Sequence, residues 1–367
     1  MFTKYDGKLG IREYGALVTV VTAIKICDQT PVFVFEVSKN AGWMLPAVSV
    51  AIVIPSYIML LILIKRYKNK NLMDIVFNLL GRYAGFIIGM LFFISAFSFT
   101  VVASRSYVDI LSEMFFPRTP SIVLYAVLMV TSFFIAKRGA EAIGRVSFLT
   151  QPYVKVIIGI MIMLALKQVN FGFLYPIAGA GVKQIIYGGV QYSTFCQELI
   201  LFAVFFPMVR GYKEFKMGSI IGFSMGIVEQ IFFFILYVGI LDYPPLIINN
   251  FTYQAVARVL YSGRFISNLE GIFLLAWIVD SSIFFAIYIY VSSAYFAYSL
   301  KLPEFKVFLL PFAALSIMLG MIPDNNFVNA VIMRDYILKV NWIFIFGMPL
   351  ILLIISQIKG DYKNENS

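Results

Sequence analysis

Histidine is absent from the 367-residue chain, and cysteine occurs twice, as Cys27 and Cys196. The first absence excludes histidine triads, histidine metal ligation and histidine proton relays. Two thiols cannot complete a four-ligand zinc site. Neither falls in an extracellular segment, so no structural disulfide is expected. Charge is scarce too: Asp, Glu, Lys and Arg make up 13% of the chain, against about 25% in soluble domains. No nucleophile–base pair and no metal cluster can be assembled from what remains. The chain is therefore read as a non-enzyme with no cofactor and no metal. What is abundant is apolar surface, at 61% of residues and a mean hydropathy of +0.88. Apolar runs of about 20 residues recur throughout, the length of a bilayer-crossing helix. The expected fold is an all-α integral membrane protein, residues 1–367 forming one transmembrane domain with no soluble domain. In such a chain a net charge of +10 is not a nucleic-acid signal.

Ten spans are expected, near 12–37, 43–64, 84–108, 121–136, 146–166, 188–209, 217–241, 267–298, 305–322 and 341–357. Of 29 Lys and Arg, Lys25 and Lys155 are counted inside spans, 18 in cytoplasmic segments and 9 outside, if the N-terminus is cytoplasmic. That asymmetry, and the even span number, predict both termini in the cytoplasm. The opening "MFTKYDGKLGIR" is basic but has no small-residue cleavage site after it, so the first span is expected to be retained. Residues 68–86 and 249–263 carry apolar residues at helical spacing. Each is either a short interfacial helix or a solvated connector.

Two spans are interrupted. "AIKICDQTP" (23–31) sets Lys25, Asp28, Gln29 and Pro31 inside the first, and "GGVQYSTFCQE" (188–198) opens the sixth with polar residues and glycine. These are corresponding positions of two five-span halves, about 11–166 and 184–357, the pattern of an inverted-repeat transporter core. Half-helix ends at the midplane offer N–H groups to a carboxylate and carbonyls to a cation. The alternative is a proline kink repaired by neighbouring helices.

Intramembrane charges usually pair or mark a functional path. Lys25 and Asp28 share a face if the helix is continuous. They either pair, or Lys25 meets a ligand carboxylate, or the pair forms an ion-linked switch. Glu198 either braces another span or contacts ligand. Lys155, about ten residues into the fifth span, is too deep for easy snorkelling. It is either a proton carrier in the place of a cation, or a partner of Asp28 or Glu198. Asp280, followed by Ser281 and Ser282, is a further buried charge; the two hydroxyls serve either ligand or helix packing.

Several stretches carry a family resemblance. They are "LMDIVFNLLGRYAGFIIG", "FPRTPSIVLYAVLM", "AKRGAEAIGRVSFL", "NFGFLYPIAGAGVKQIIYGGVQYSTFCQELILF" and "TYQAVARVLYSGRFISNLEGIFLLAWIVDSS". In this order, over about residues 10–325, they resemble the spore germination permeases. These are the B subunits of nutrient germinant receptors, in the amino acid–polyamine–organocation superfamily. The resemblance implies ten transmembrane helices in a leucine-transporter-like 5+5 inverted repeat, with helices 1 and 6 broken. It implies a nutrient site, most simply for an amino acid, in the spore inner membrane. Ile24, Lys25, Cys27, Asp28 and Thr30 would face Tyr192, Ser193, Thr194, Phe195 and Glu198. Phe97 and Thr100 of the third span would complete the pocket with Trp277, Asp280, Ser281 and Ser282 of the eighth. Lys155 and Asp28 would couple ions or protons. The implied partners are an A subunit, a membrane protein with a large soluble domain, and a C subunit, a lipoprotein. One departure is plain: superfamily members usually place small residues at the first break, where this chain has Ile24, Lys25 and Ile26. Lys25 therefore either clamps a ligand or fills the pocket. A proton-coupled amino acid transporter and a non-binding scaffold subunit are the alternative functions.

Overall fold

The computed structural model describes residues 8–67, 70–248, 251–260, 269–323 and 332–359. Their regular secondary structure is helical. No strand occurs among them, only an isolated parallel bridge between Leu9 and Val209. The first expected span is two helices, α1 (Ile11–Ala23) and α2 (Thr30–Ser38), separated by a 3₁₀ turn and a non-helical link. Then come α3 (Leu45–Arg66), α4 (Leu72–Ile110), α5 (Ser121–Lys137) and α6 (Ala140–Ala165). The sixth position holds α7 (Val182–Gln191), and α8 (Glu198–Leu201) between 3₁₀ turns, with a bend of 56° between the two parts. The remainder is α9 (Tyr212–Leu241), α10 (Tyr243–Ile248), α11 (Thr252–Leu260), α12 (Leu269–Ser299), α13 (Leu309–Gly320) and α14 (Asp335–Lys359).

Among the described residues, six helical stretches are long and apolar enough to cross a bilayer, and the bent pair makes a seventh. Shorter apolar pieces, Ile11–Ala23, Ser121–Lys137 and Lys306–Gly320, occupy the other three expected positions. Large apolar side chains stand exposed around the outside, among them Val127, Leu149, Val156, Leu275 and Met318. In water such a belt would be costly; against lipid tails it is neutral.

The closest helix packing joins α1 to α9, and glycine makes it possible. A Cβ on Gly222 would lie 2.2 Å from the Gly15 carbonyl oxygen, and one on Gly226 2.5 Å from Thr22. Small residues let two backbones approach, and Thr19 Oγ1 then reaches the Gly222 carbonyl at 3.2 Å.

One expectation about the ends is narrowed and three are corrected. Gly81, at φ 78°, divides α4 into 72–80 and 82–110, so the 68–86 segment holds a short helix kinked into the span rather than a solvated connector. Residues 68 and 69 lie outside the described residues. The 249–263 segment is not a free interfacial helix. Tyr253, Gln254, Val256 and Ala257 of α11 are buried, packed against α9 and α6; residues 249–250 and 261–263 lie outside the described residues. Arg105, counted with the outer segments, is buried within α4, paired with Asp109 at 2.7 Å and donating to the Gly320 carbonyl at 3.1 Å. The last helix begins at Asp335 after a turn at 332–334, not at 341, because Ile337, Leu338 and Val340 continue its apolar face. Arg334 is consequently buried rather than in a loop.

Candidate functional site

The first break has a local cause. Asp28 Oδ1 accepts the Thr30 N–H at 2.7 Å, and Pro31 has no N–H to give. The helical ladder cannot pass through this pair. The carbonyls it frees are met by side chains from other helices. Gln230 donates to Thr22 O at 2.6 Å, Tyr237 to Ile26 O at 2.8 Å, and Gln254 to Cys27 O at 3.4 Å. At the second break, Ser193 donates to the Val190 carbonyl at 2.8 Å, and the Phe195 carbonyl is left facing the first break.

Lys25 fills that space. Its ammonium donates to the Phe195 carbonyl and to Glu198 Oε1, the latter at 2.7 Å, with both side chains at most 1% exposed. Glu198 Oε1 also accepts from Tyr288 at 2.6 Å, and Gln197 donates to that hydroxyl at 3.3 Å. The carbonyl end of one half-helix thus holds a cation that belongs to the chain itself. The Lys25–Asp28 pair, one of the alternatives for these charges, does not form, because the helix does not continue between them. Asp28 Oδ2 instead meets Arg334 at 2.6 Å.

Lys155 pairs with neither Asp28 nor Glu198. It donates to Glu229 Oε2 of α9, at a side-chain exposure of 27% against 8% for the carboxylate. Beside this pair is a narrow cavity of about 30 Å³, lined by Ile24, Cys27, Lys155, Glu229, Trp277 and Asp280 among others. Asp280 Oδ1 and Glu229 Oε1 are buried there without hydrogen-bond partners. The volume admits a water-sized group, not a nutrient.

The remaining residues separate. Ile24, Cys27, Lys155, Trp277 and Asp280 share the cavity wall. Lys25, Phe195 and Glu198 form the tie between the breaks. Thr30 joins Asp28 beside Arg334. Tyr192 and Thr194 attach the second break to α14, through Asp335 at 2.9 Å and the Leu338 carbonyl at 2.7 Å. Ser281 and Ser282 bond to the carbonyls of Trp277 and Ile278 on their own helix, and Thr100 to that of Ala96. Phe97 packs apart from the breaks, with Val101 and Phe312. Cys27 and Cys196 are buried free thiols. Sequence reasoning missed Glu229, Arg334 and Tyr288. Glu229 carried a signal, a carboxylate in mid-span in "SMGIVEQIFFF". Arg334 carried a weaker one, an apolar period running back past 341.

A membrane-embedded helical bundle with two interrupted helices and charges buried between them is the class this geometry defines. A family model described as spore germination protein matches residues 28–328. The chain belongs to that family, the spore germination permeases, and is an integral membrane protein rather than an enzyme. YfkT of Bacillus subtilis (strain 168), named as a spore germination protein, is 25% identical over 189 residues, 51% of each chain. The chain thus spans about half the length of that relative. Spore germination protein A2 of the same organism is 24% identical over 310 residues, 80% of each chain. A solved structure of a Na⁺-coupled sialic acid symporter, substrate-bound and outward-open, has a TM-score of 0.48 at 12% identity. That comparison covers 97% of this chain and 76% of the symporter.

Proposed function

We propose that the chain is the ligand-sensing B subunit of a nutrient germinant receptor. It binds a small nutrient, an amino acid, between the α1–α2 and α7–α8 breaks. Its partners are an A subunit membrane protein and a C subunit lipoprotein in the spore inner membrane, and both its termini are cytoplasmic. The observation that carries this reading is the tie of Lys25 to the Phe195 carbonyl and Glu198, which joins two interrupted helices within a spore germination family. A ligand that competes for those contacts favours an arrangement in which the breaks separate. A ligand shifts such an equilibrium only by binding one arrangement more tightly. Breaks at matching positions support the organisation in two repeats, about 11–166 and 184–357. The residues proposed to face ligand are Lys25, Asp28, Thr30, Ser193, Thr194 and Glu198.

A second reading, a proton-coupled amino acid transporter, is favoured by the Lys155–Glu229 pair beside Asp280 in the cavity. The test compares spores lacking only this chain with complemented spores, across a panel of amino acids, sugars and nucleosides. Loss of the response to one nutrient class is expected, with Ser193→Ala or Thr194→Val shifting the half-maximal concentration at normal protein level. Normal germination without the chain would refute the receptor reading. Uptake of labelled amino acid by the purified chain in proteoliposomes would favour the transporter.

A further inference from the structure

Arg334 stands first by volume among the fully buried side chains, at 1% exposure. Its Nη2 donates to Asp28 Oδ2 at 2.6 Å and to Thr30 Oγ1 at 3.0 Å, and its guanidinium lies 5.6 Å from the Phe33 ring centroid. Nε and Nη1 are equally buried and have no acceptor among the described residues. A guanidinium carries five N–H donors in a rigid planar fork suited to carboxylates. Burying such donors unmet is costly, so a fold that keeps them has a use for them. Asp28 cannot meet them, because Oδ1 already accepts the Thr30 N–H and Oδ2 is engaged with Nη2.

The location adds to this. Thr30 and Phe33 belong to the first turn of α2, whose N-terminal end favours negative charge. The neighbouring Asp335 accepts from Tyr192 at 2.9 Å, and the Phe33 and Tyr192 rings lie 6.1 Å apart. The start of α14 therefore touches both breaks, and it brings to them a cation with unused donors.

We infer that Arg334 is the carboxylate receptor of the nutrient site, so that this chain selects nutrients bearing a free carboxylate. The inference rests on the nutrient-receptor reading above. A carboxylate would accept from the nitrogens that Asp28 leaves free. A carboxamide of the same shape would bring no charge and an N–H₂ where an acceptor is needed.

The test uses spores whose sole nutrient receptor contains the full chain, exposed to each amino acid and to its carboxamide. Arg334→Gln alone leaves Asp28 buried without its cation and can fail to fold. Asp28→Asn with Arg334→Gln removes both charges together, and Arg334→Lys keeps the charge but loses the fork. The wild type is expected to respond to its amino acid at a concentration at least about tenfold below that for the amide. In the double variant, at normal receptor level, that ratio is expected to fall to about one, with Arg334→Lys intermediate. An unchanged ratio in the double variant, or equal wild-type responses to acid and amide, overturns the inference and leaves the receptor reading standing. A wild type that answers no nutrient, while a control receptor does, overturns both.

Discussion

The two lysines inside the bundle occupy opposite kinds of site. Lys25 is 1% exposed at its side chain, spans two broken helices, and meets a carbonyl and a carboxylate that Tyr288 also holds. Lys155 is 27% exposed and has one carboxylate partner, and the cavity beside it contains two carboxylate oxygens without partners. A fully buried ion pair resists change, because moving either member strands the other, although Glu198 Oε2 itself has no hydrogen-bond partner among the described residues. A more exposed cluster beside a cavity can accept a proton or a cation with less rearrangement. The comparison makes Lys25 the strong tie that a ligand would have to displace, and the Lys155 cluster the more readily altered site.

The largest effect should come from breaking the brace. Lys25→Met leaves Glu198 buried and uncompensated, at a cost of about 3–5 kcal/mol. Thermal unfolding and protein level in the membrane should both fall sharply, and Lys25→Met with Glu198→Gln should recover most of the loss. Wild-type stability in the single variant would make Lys25 dispensable as a brace. Next in size is Gly222→Ala, which pushes α1 away from α9 and so disturbs both lysines at once. Its expected cost is about 1–3 kcal/mol, read as a lowered unfolding temperature. Lys155→Ala should cost less in stability, about 1–2 kcal/mol after allowing for its partial exposure to solvent. Its distinctive consequence is a flatter pH dependence of the half-maximal nutrient concentration; an unaltered profile would remove the proton-carrier role. The smallest effect separates a cap from a bystander. Tyr237→Phe uncovers the Ile26 carbonyl at a cost of about 1 kcal/mol, whereas Ser282→Ala should stay within about 0.5 kcal/mol.

Much of the candidate site was legible from local chemistry. Pro31 and Asp28 announce the first break, and Gly188, Gly189 and the polar run to Glu198 announce the second. Partnership was not legible in the same way. The spacing of Lys25 and Asp28 suggested a pair, but spacing predicts contact only along an unbroken helix. The break that made both residues conspicuous also turned them toward different neighbours. Glu229 could have been found by asking where every mid-span carboxylate goes. Arg334 was hidden by an end placed too late, and element ends are the least certain part of any periodicity argument.

The sequence by itself determined membrane residence, the helix positions and the two interruptions, because apolar run length, proline and glycine act through the chain's own backbone and its solvent. Only the tertiary structure decided that Lys25 meets Glu198, that Arg334 meets Asp28 and that Glu229 meets Lys155. Each of those contacts joins residues 74 to 306 positions apart. Their pairing depends on how far each helix is rotated and shifted against the next, which side-chain packing across the whole bundle sets.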